Sequence, residues 1–118
     1  MEIKLTINGT ELTGTLGGGP AARDFATLLP LTVELADFND RERIADLPRP
    51  LGLDGEPAGA SAGPGDVAHY APWGNLALFY GDQPHAAGLV LLGRLRDPAA
   101  SVLAELPSTV TAFVELAD

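Results

Sequence analysis

The sequence predicts a mainly β domain, a closed barrel of about seven or eight strands with two short helices over its open ends. Short runs in which apolar and polar residues alternate recur along the chain, as half-buried strands require. Helical patterns are few and do not alternate with strands, which argues against a parallel α/β sheet. Because a closed barrel leaves no strand edge exposed, it is the arrangement that so many short strands favour.

The length and composition indicate one domain over residues 1–118. The chain has no cysteine, which excludes disulfides, zinc-thiolate sites and a cysteine nucleophile. The start lacks the basic and apolar regions of a signal peptide, and no apolar run reaches the length of a membrane span. We therefore expect a cytoplasmic protein.

Acidic residues outnumber basic ones by 16 to 7, which gives a net charge of −9. Such a surface repels phosphate groups, so we expect neither nucleic acid nor a membrane as a partner. Arginine is preferred over lysine, and alanine, glycine and proline are abundant, which suggests a GC-rich bacterial genome.

A β-hairpin is predicted over residues 2–16. Apolar and polar residues alternate from Ile3 to Ile7, and Asn8-Gly9, which follows, is a strong signal for a two-residue turn. The return strand continues one face through Leu12, Gly14 and Leu16.

The first helix is predicted to begin at Pro20 and to end before Pro30. Its apolar residues recur on one face at Ala21, Phe25, Leu28 and Leu29. Asp24 lies early in the helix, where a negative charge suits the helix dipole. The preceding glycines, residues 17–19, lack the Gly-Lys-Ser/Thr of a phosphate loop and are interpreted as a turn.

Two further strands are predicted before a long loop. Residues 31–36 alternate, and after a turn cluster residues 41–47 return as a short strand with Ile44 inside. Residues 50–65 are rich in glycine and proline, so they are expected to form a long flexible surface loop or a functional flap. Leu51 and Leu53 could fix the start of this loop to the barrel.

The centre of the sequence is residues 65–81, which hold four of the seven aromatic residues, including the only tryptophan. We expect a turn, a short strand, a corner over residues 72–75 and a second strand from Leu76 to Tyr80. Alternation places Leu78 and Tyr80 on one face of that strand and Phe79 on the other.

The remaining elements are a loop over residues 81–85, a buried strand over 88–95, a helix and a final strand over 109–117. Asp97 is expected to cap the helix, with Pro98 at its first helical position. Phe113 lies opposite the other apolar residues of the final strand, which suggests that this strand is covered on both faces.

The run Tyr70-Ala71-Pro72-Trp73-Gly74-Asn75-Leu76-Ala77-Leu78-Phe79-Tyr80, after Gly65-Asp66 and before Gly88-Leu89-Val90, resembles small bacterial proteins of cyclophilin-like fold. Arg23-Asp24-Phe25, Asp37-Phe38-Asn39 and Leu47-Pro48-Arg49 extend the resemblance over nearly the whole chain. It implies a closed barrel of the cyclophilin type, shorter than a true cyclophilin.

True cyclophilins are prolyl isomerases whose signature is Phe-His-Arg, then Gln, Phe-x-Met, Trp and His. In this sequence neither His69 nor His85 precedes an arginine, and the one methionine is Met1. The resemblance therefore transfers the fold and no catalytic residue.

Seven residues are candidates for ligand binding. The arginines could clamp a carboxylate, the aromatic residues could form a wall for an apolar ligand or a prolyl ring, and the histidine could titrate. They are Arg41, Arg43, Arg49, His69, Tyr70, Trp73 and Tyr80. Asp82 and His85 lack a third ligand at metal spacing, and no serine lies in a nucleophile elbow, so we expect no metal, cofactor or hydrolase site.

The sequence thus predicts a domain that binds a small molecule or a proline-containing peptide in a shallow groove on the barrel wall. The groove would lie near His69, Tyr70 and Trp73, under residues 50–65. One alternative is a prolyl isomerase in which Arg41, Arg43 or Arg49 replaces the usual arginine, an analogy from fold alone. The other is a homo-oligomeric structural or interaction module, and either a monomer or a small homo-oligomer is compatible with the sequence.

Overall fold

The computed structural model describes residues 1–117, which form ten strands and two short helices. The strands in chain order are β1 (Glu2–Ile7), β2 (Thr10–Leu16), β3 (Leu31–Phe38), β4 (Glu42–Asp46), β5 (Gly59–Ala62), β6 (Asp66–Tyr70), β7 (Asn75–Phe79), β8 (Gln83–Ala87), β9 (Leu89–Leu95) and β10 (Thr109–Leu116). The helices are α1 (Pro20–Thr27) and α2 (Ala99–Ala104).

Eight of these strands close into an antiparallel barrel in the order β1-β10-β3-β4-β7-β6-β9-β2, and β2 pairs back with β1. The hairpin turn has positive φ at Asn8 (49°) and Gly9 (78°), as the two-residue turn requires. The closed barrel with two helices predicted from the sequence is confirmed.

Alternation along the strands separates an interior cluster from an outer one. On β7, Leu76 and Leu78 pack in the main hydrophobic core, whereas Ala77 and Phe79 belong to a smaller cluster on the other face of the wall. Ala68 and Leu89 complete the buried part of this outer cluster. The barrel interior is filled by aliphatic side chains, as expected for a barrel of this size.

Helix α1 buries Ala21, Ala22 and Phe25 against the main core. Pro20 occupies the first helical position, as predicted, but the cap comes from a distant residue. The backbone N–H of Ala21 donates to the Glu56 carboxylate at 2.9 Å. Glu56 therefore supplies the negative charge at the helix N-terminus, where a carboxylate is favourable.

The predicted cap of α2 is wrong. Pro98 itself occupies the N-cap position, and no side chain bonds to the first turn. Asp97 consequently lies one residue too early to reach the amides that a cap satisfies. The apolar face is confirmed, since Ala99 and Leu103 are buried.

A second sheet, made of two strands, forms in two places where the sequence predicted loops. Strand β5 lies within the predicted loop over residues 50–65, and β8 overlaps the predicted loop over 81–85. The two strands pair with each other, and Ala62 and Ala86 pack on the outer cluster. Glycine, proline and alanine give such strands no alternating pattern, which is why sequence periodicity missed them.

Two predictions about burial are also wrong. Ile44 is half-buried against the outer cluster, while its neighbours Arg43 and Ala45 are buried. Phe113 is 39% exposed, so β10 is covered on its inner face alone. By contrast, Leu51 is buried in the main core and fixes the start of its loop, whereas Leu53 stays exposed.

Candidate functional site

A groove of about 160 Å³ lies on the outer wall of the barrel beside the β5–β8 sheet. Four aromatic side chains line it: Phe38, Tyr70, Trp73 and Phe79. Its polar lining comes from Asn39, Glu42, Asn75 and Gln83, and Ala86 and Leu89 complete it. A concave, mainly apolar site with a few polar groups is the usual form of a small-molecule pocket.

The rings meet at nearly right angles around Trp73. The Trp73 ring lies 5.3 Å from Phe38 at 85° and 5.3 Å from Tyr70 at 84°. These edge-to-face contacts fix the three rings relative to one another. Trp73 nevertheless remains 56% exposed, so much of the largest apolar side chain in the protein is available to a ligand.

The corner between β6 and β7 holds Trp73 in place. Its backbone N–H donates to the Tyr70 carbonyl at 3.2 Å, and the N–H of Gly74 donates to the same oxygen at 2.9 Å. Gly74 has φ of +64°, a conformation that glycine adopts without strain. The corner is therefore tied at its base while the indole ring projects outward.

Glu42 is the charged residue of the groove. It is 9% exposed and lies in register between Phe38 on β3 and Phe79 on β7, so its side chain shares their face. Among residues 1–117, no hydrogen bond or ion pair involves its carboxylate, and Arg41 is the one cation whose charge acts on it. Burial raises the pKa of Glu42 above its ordinary value, against the smaller opposing effect of Arg41.

Asn75 adds a second acceptor to the groove. Asn75 is 3% exposed, and its side-chain Oδ1 is buried and accepts no hydrogen bond from the described residues. Buried polar atoms without partners are uncommon, so an unpaired acceptor in a groove is a candidate contact for a bound molecule.

Two of the seven candidate residues line the groove, Tyr70 and Trp73, and Arg41 lies at its edge. The Nη1 of Arg41 donates to Gln83 Oε1 at 3.3 Å, and Gln83 is part of the lining. Residues 50–65 contribute no lining side chain, although β5 supports β8 from the other side.

The other two arginines have structural partners away from the groove. Arg43 is 2% exposed and donates to the carbonyls of Leu103, Leu106 and Pro107 at 3.0, 2.8 and 2.6 Å. These carbonyls lie at the end of α2, where backbone acceptors lack partners within the helix. Arg43 therefore binds the C-terminal end of α2 to the barrel.

Arg49 binds Asp24 on α1 through two hydrogen bonds of 2.8 Å each. The Arg49 guanidinium and the N–H of Gly52 hold the pKa of Asp24 well below its usual range. Asp24 is thus the partner of Arg49 rather than a charge for the helix dipole, since α1 has no acidic residue in its first turn.

His69 and Tyr80 also lie outside the groove lining. His69 is fully buried, in register with Leu76 and Val90 of the main core, and its Nδ1 donates to the Asn75 carbonyl at 2.8 Å. Burial lowers the pKa of His69. The hydroxyl of Tyr80 donates to Asp37, and burial together with this bond raises the pKa of Tyr80 to about 12.

Sequence reasoning missed Glu42 and Asn75, the two buried polar residues of the groove lining. Strand alternation could have placed Glu42 and Arg43 on opposite faces of the strand. The sequence does not indicate which of the two side chains faces the barrel interior. Asn75 was interpreted as a corner residue. Its register with Tyr70, visible once the strands pair, brings it to the outer wall.

In the part of the chain that the structure describes, no helix has the length and apolar character of a membrane span. Over the same residues, no group of three His, Asp or Glu side chains gathers as metal ligands.

The chain is similar in fold to the solution structure of the hypothetical protein AF2241 from Archaeoglobus fulgidus. The two share 20% sequence identity with a TM-score of 0.75, over 99% of this chain and 95% of that chain. No curated protein matches this chain. A model of the cyclophilin-like family matches residues 5–115, and the chain therefore belongs to the cyclophilin-like family.

Proposed function

We propose that this cyclophilin-like domain binds a small molecule or an exposed peptide segment in the groove around Trp73. The observation that carries the proposal is the exposure of Trp73, because a large apolar ring in a concave aromatic site has no partner on its open side. Exposed aromatic surface that a ligand can cover is a large source of binding free energy.

The volume of the groove sets the size of the ligand. Its 160 Å³ is similar to an engineered apolar cavity of roughly 150 Å³ that holds a benzene ring. A group of a few carbon atoms, such as a small alkylamine or a prolyl ring, therefore fits within the groove. A longer ligand would extend past Trp73 into solvent.

Fluorescence of the single tryptophan tests the proposal directly. Pools of amines, carboxylic acids, sugars and prolyl peptides are titrated into the protein, and the proposal expects a saturable change in Trp73 emission with at least one pool. Ala86→Leu should abolish this change because it fills the groove. Ala87→Leu, the matched control, places the same side chain at an exposed position outside the lining and should leave it intact. No response from any pool would overturn the proposal.

Prolyl isomerisation is a second candidate function, and the contact between Arg41 and Gln83 favours it. An arginine at the edge of an aromatic groove could donate to a prolyl nitrogen, as the family resemblance implies for true cyclophilins. A protease-coupled isomerase assay should then show catalysis that Arg41→Lys lowers and Arg23→Lys, on exposed α1 surface, does not. A rate equal to the uncatalysed one would remove this candidate.

A further inference from the structure

The groove combines aromatic walls with an acidic floor, and its lining contains no basic side chain among the described residues. We propose that its ligand is a small organic cation, with an ammonium or methylated ammonium group held between the aromatic rings and the carboxylate of Glu42. This inference rests on the proposed function and names the chemical class that the same groove would select.

The first support is the position of Glu42. Its register partners on both sides are phenylalanines, Phe38 on β3 and Phe79 on β7, so Glu42 stands in a row between two aromatic residues. Strand pairing places directly opposed side chains on the same face and close together. A cation that contacts these rings would therefore lie next to the carboxylate as well.

The second support is that Glu42 forms no ion pair among residues 1–117, so that Arg41 compensates its charge only in part. Removing a carboxylate from water is costly unless a partner or a cation replaces the lost hydration. Arg41, the cation whose charge acts on Glu42, uses its Nη1 to bind Gln83 at 3.3 Å and makes no ion pair with Glu42. The carboxylate of this largely buried residue therefore lacks an ion-pair partner that a ligand could supply.

The third support is the arrangement of the rings and of Asn75. Aromatic faces attract cations. Trp73 meets Phe38 and Tyr70 edge to face, at 85° and 84°, and its exposed side is open to an ammonium group. The unpaired Oδ1 of Asn75, a lining residue, is an acceptor for the N–H of a primary, secondary or tertiary ammonium, a bond that a quaternary ammonium such as choline does not form.

The electrostatic field of the whole protein also favours a cationic ligand. With a net charge of −9, the chain attracts cations and repels anions at the distances over which a ligand approaches. A carboxylate ligand, which the sequence predicted Arg41, Arg43 or Arg49 to clamp, would instead be repelled by Glu42 in the groove.

The test compares two molecules of the same shape on the unmodified protein. Choline and its neutral isostere, in which a tert-butyl group replaces trimethylammonium, are titrated by calorimetry and by Trp73 fluorescence. The proposal expects choline to bind with a dissociation constant at least about tenfold lower than that of the isostere. Equal affinities would overturn the cation inference while leaving the proposed groove intact. Binding of other pools without choline would have the same meaning, and no binding by any pool would overturn both.

Variants of the protein then test whether Glu42 causes the preference for choline over the neutral isostere. Glu42→Gln keeps the shape of the side chain and should weaken choline binding about tenfold, while the affinity for the neutral isostere should not change. Glu105→Gln, an exposed position outside the groove lining, is the matched control and should leave both affinities unchanged. A Glu42→Gln protein that folds and binds choline as tightly as the unmodified chain would contradict the proposal. The comparison of the two molecules remains decisive if that variant does not fold.

Discussion

Glu42 and Arg43 are consecutive residues of β4 that lie on opposite faces of the barrel wall, and both are buried. Arg43 faces α2 and satisfies its guanidinium with three backbone carbonyls. Glu42 faces the groove and forms no hydrogen bond or ion pair among residues 1–117, although the charge of Arg41 acts on it. The two charges therefore differ, since the protein pairs Arg43 and leaves Glu42 without an ion pair.

Replacing Arg43 should destabilise the protein. Arg43→Met keeps much of the apolar stem but leaves three carbonyls at the end of α2 without donors, so the free energy of unfolding should fall by about 3 kcal/mol. Arg43→Lys should be destabilising as well, because one ammonium cannot match the geometry of three acceptors. Urea denaturation measures both. Arg94→Met, which removes an exposed ion pair with Asp66, is the control and should change stability by less than about 1 kcal/mol.

Removing the charge of Glu42 should stabilise the protein at neutral pH. The pKa of Glu42 is raised in the folded state, so ionisation favours the unfolded chain as the pH rises from the ordinary value of 4.5 through the folded pKa. Glu42→Gln should therefore be more stable than the unmodified protein at pH 7, by about 1 kcal/mol. The difference should vanish near pH 3.5, where the carboxyl is protonated in both states. A variant that is less stable at pH 7 would show that Glu42 has a partner in the folded protein.

His69 should give the protein a stability that declines on acidification. Its pKa is lowered by burial, so below about pH 6.5 the unfolded chain binds a proton that the folded state does not. The free energy of unfolding should fall with a limiting slope of about 1.4 kcal/mol per pH unit, against the opposite contribution of Glu42. The difference between the unmodified protein and His69→Gln isolates this effect. His85→Gln, at an exposed histidine, should retain the slope, and a slope that survives in His69→Gln instead would contradict the assignment.

A methyl group at Gly14 should disrupt the contact between β2 and β9. A Cβ at this buried position would lie 2.5 Å from the Arg94 carbonyl oxygen and 2.9 Å from Leu95 Cα, and neither backbone atom can move away easily. Gly14→Ala should therefore lower the free energy of unfolding by about 1–3 kcal/mol, as overpacking does. Gly18→Ala, where nothing lies within 4 Å, should stay within about 0.5 kcal/mol of the unmodified protein. Equal stability of the two variants would contradict this account of the contact between β2 and β9.

The barrel itself could be predicted because its strands alternate and its turns carry specific residues. The alternation of β1 and the Asn8-Gly9 turn determine the first hairpin, and the apolar stretch from Leu76 to Phe79 locates the central strand. In these segments the local pattern and the tertiary packing agree, which is the condition under which sequence periodicity succeeds. Strands β5 and β8 have no such pattern and form through pairing with each other over the outer cluster.

The candidate site could be predicted only in part. The aromatic concentration near Trp73 indicated the part of the chain where the groove lies, since Tyr70, Trp73 and Phe79 all line it. The sequence could not show which charged residues belong to the site, since the burial of each one depends on the elements that cover it. Arg43 was predicted as a ligand-binding candidate, but α2 and the residues after it place three carbonyls around its guanidinium. Glu42 is buried because it pairs between Phe38 and Phe79.

Amide and side-chain chemical shifts of the isotope-labelled protein, recorded during a titration with choline, test the central claim most directly. The account predicts saturable shifts concentrated at Glu42, Asn75 and the Trp73 indole N–H, with the main core unaffected. Shifts concentrated away from these residues, or an absence of shifts at concentrations where a neutral ligand of the same shape binds, would contradict it.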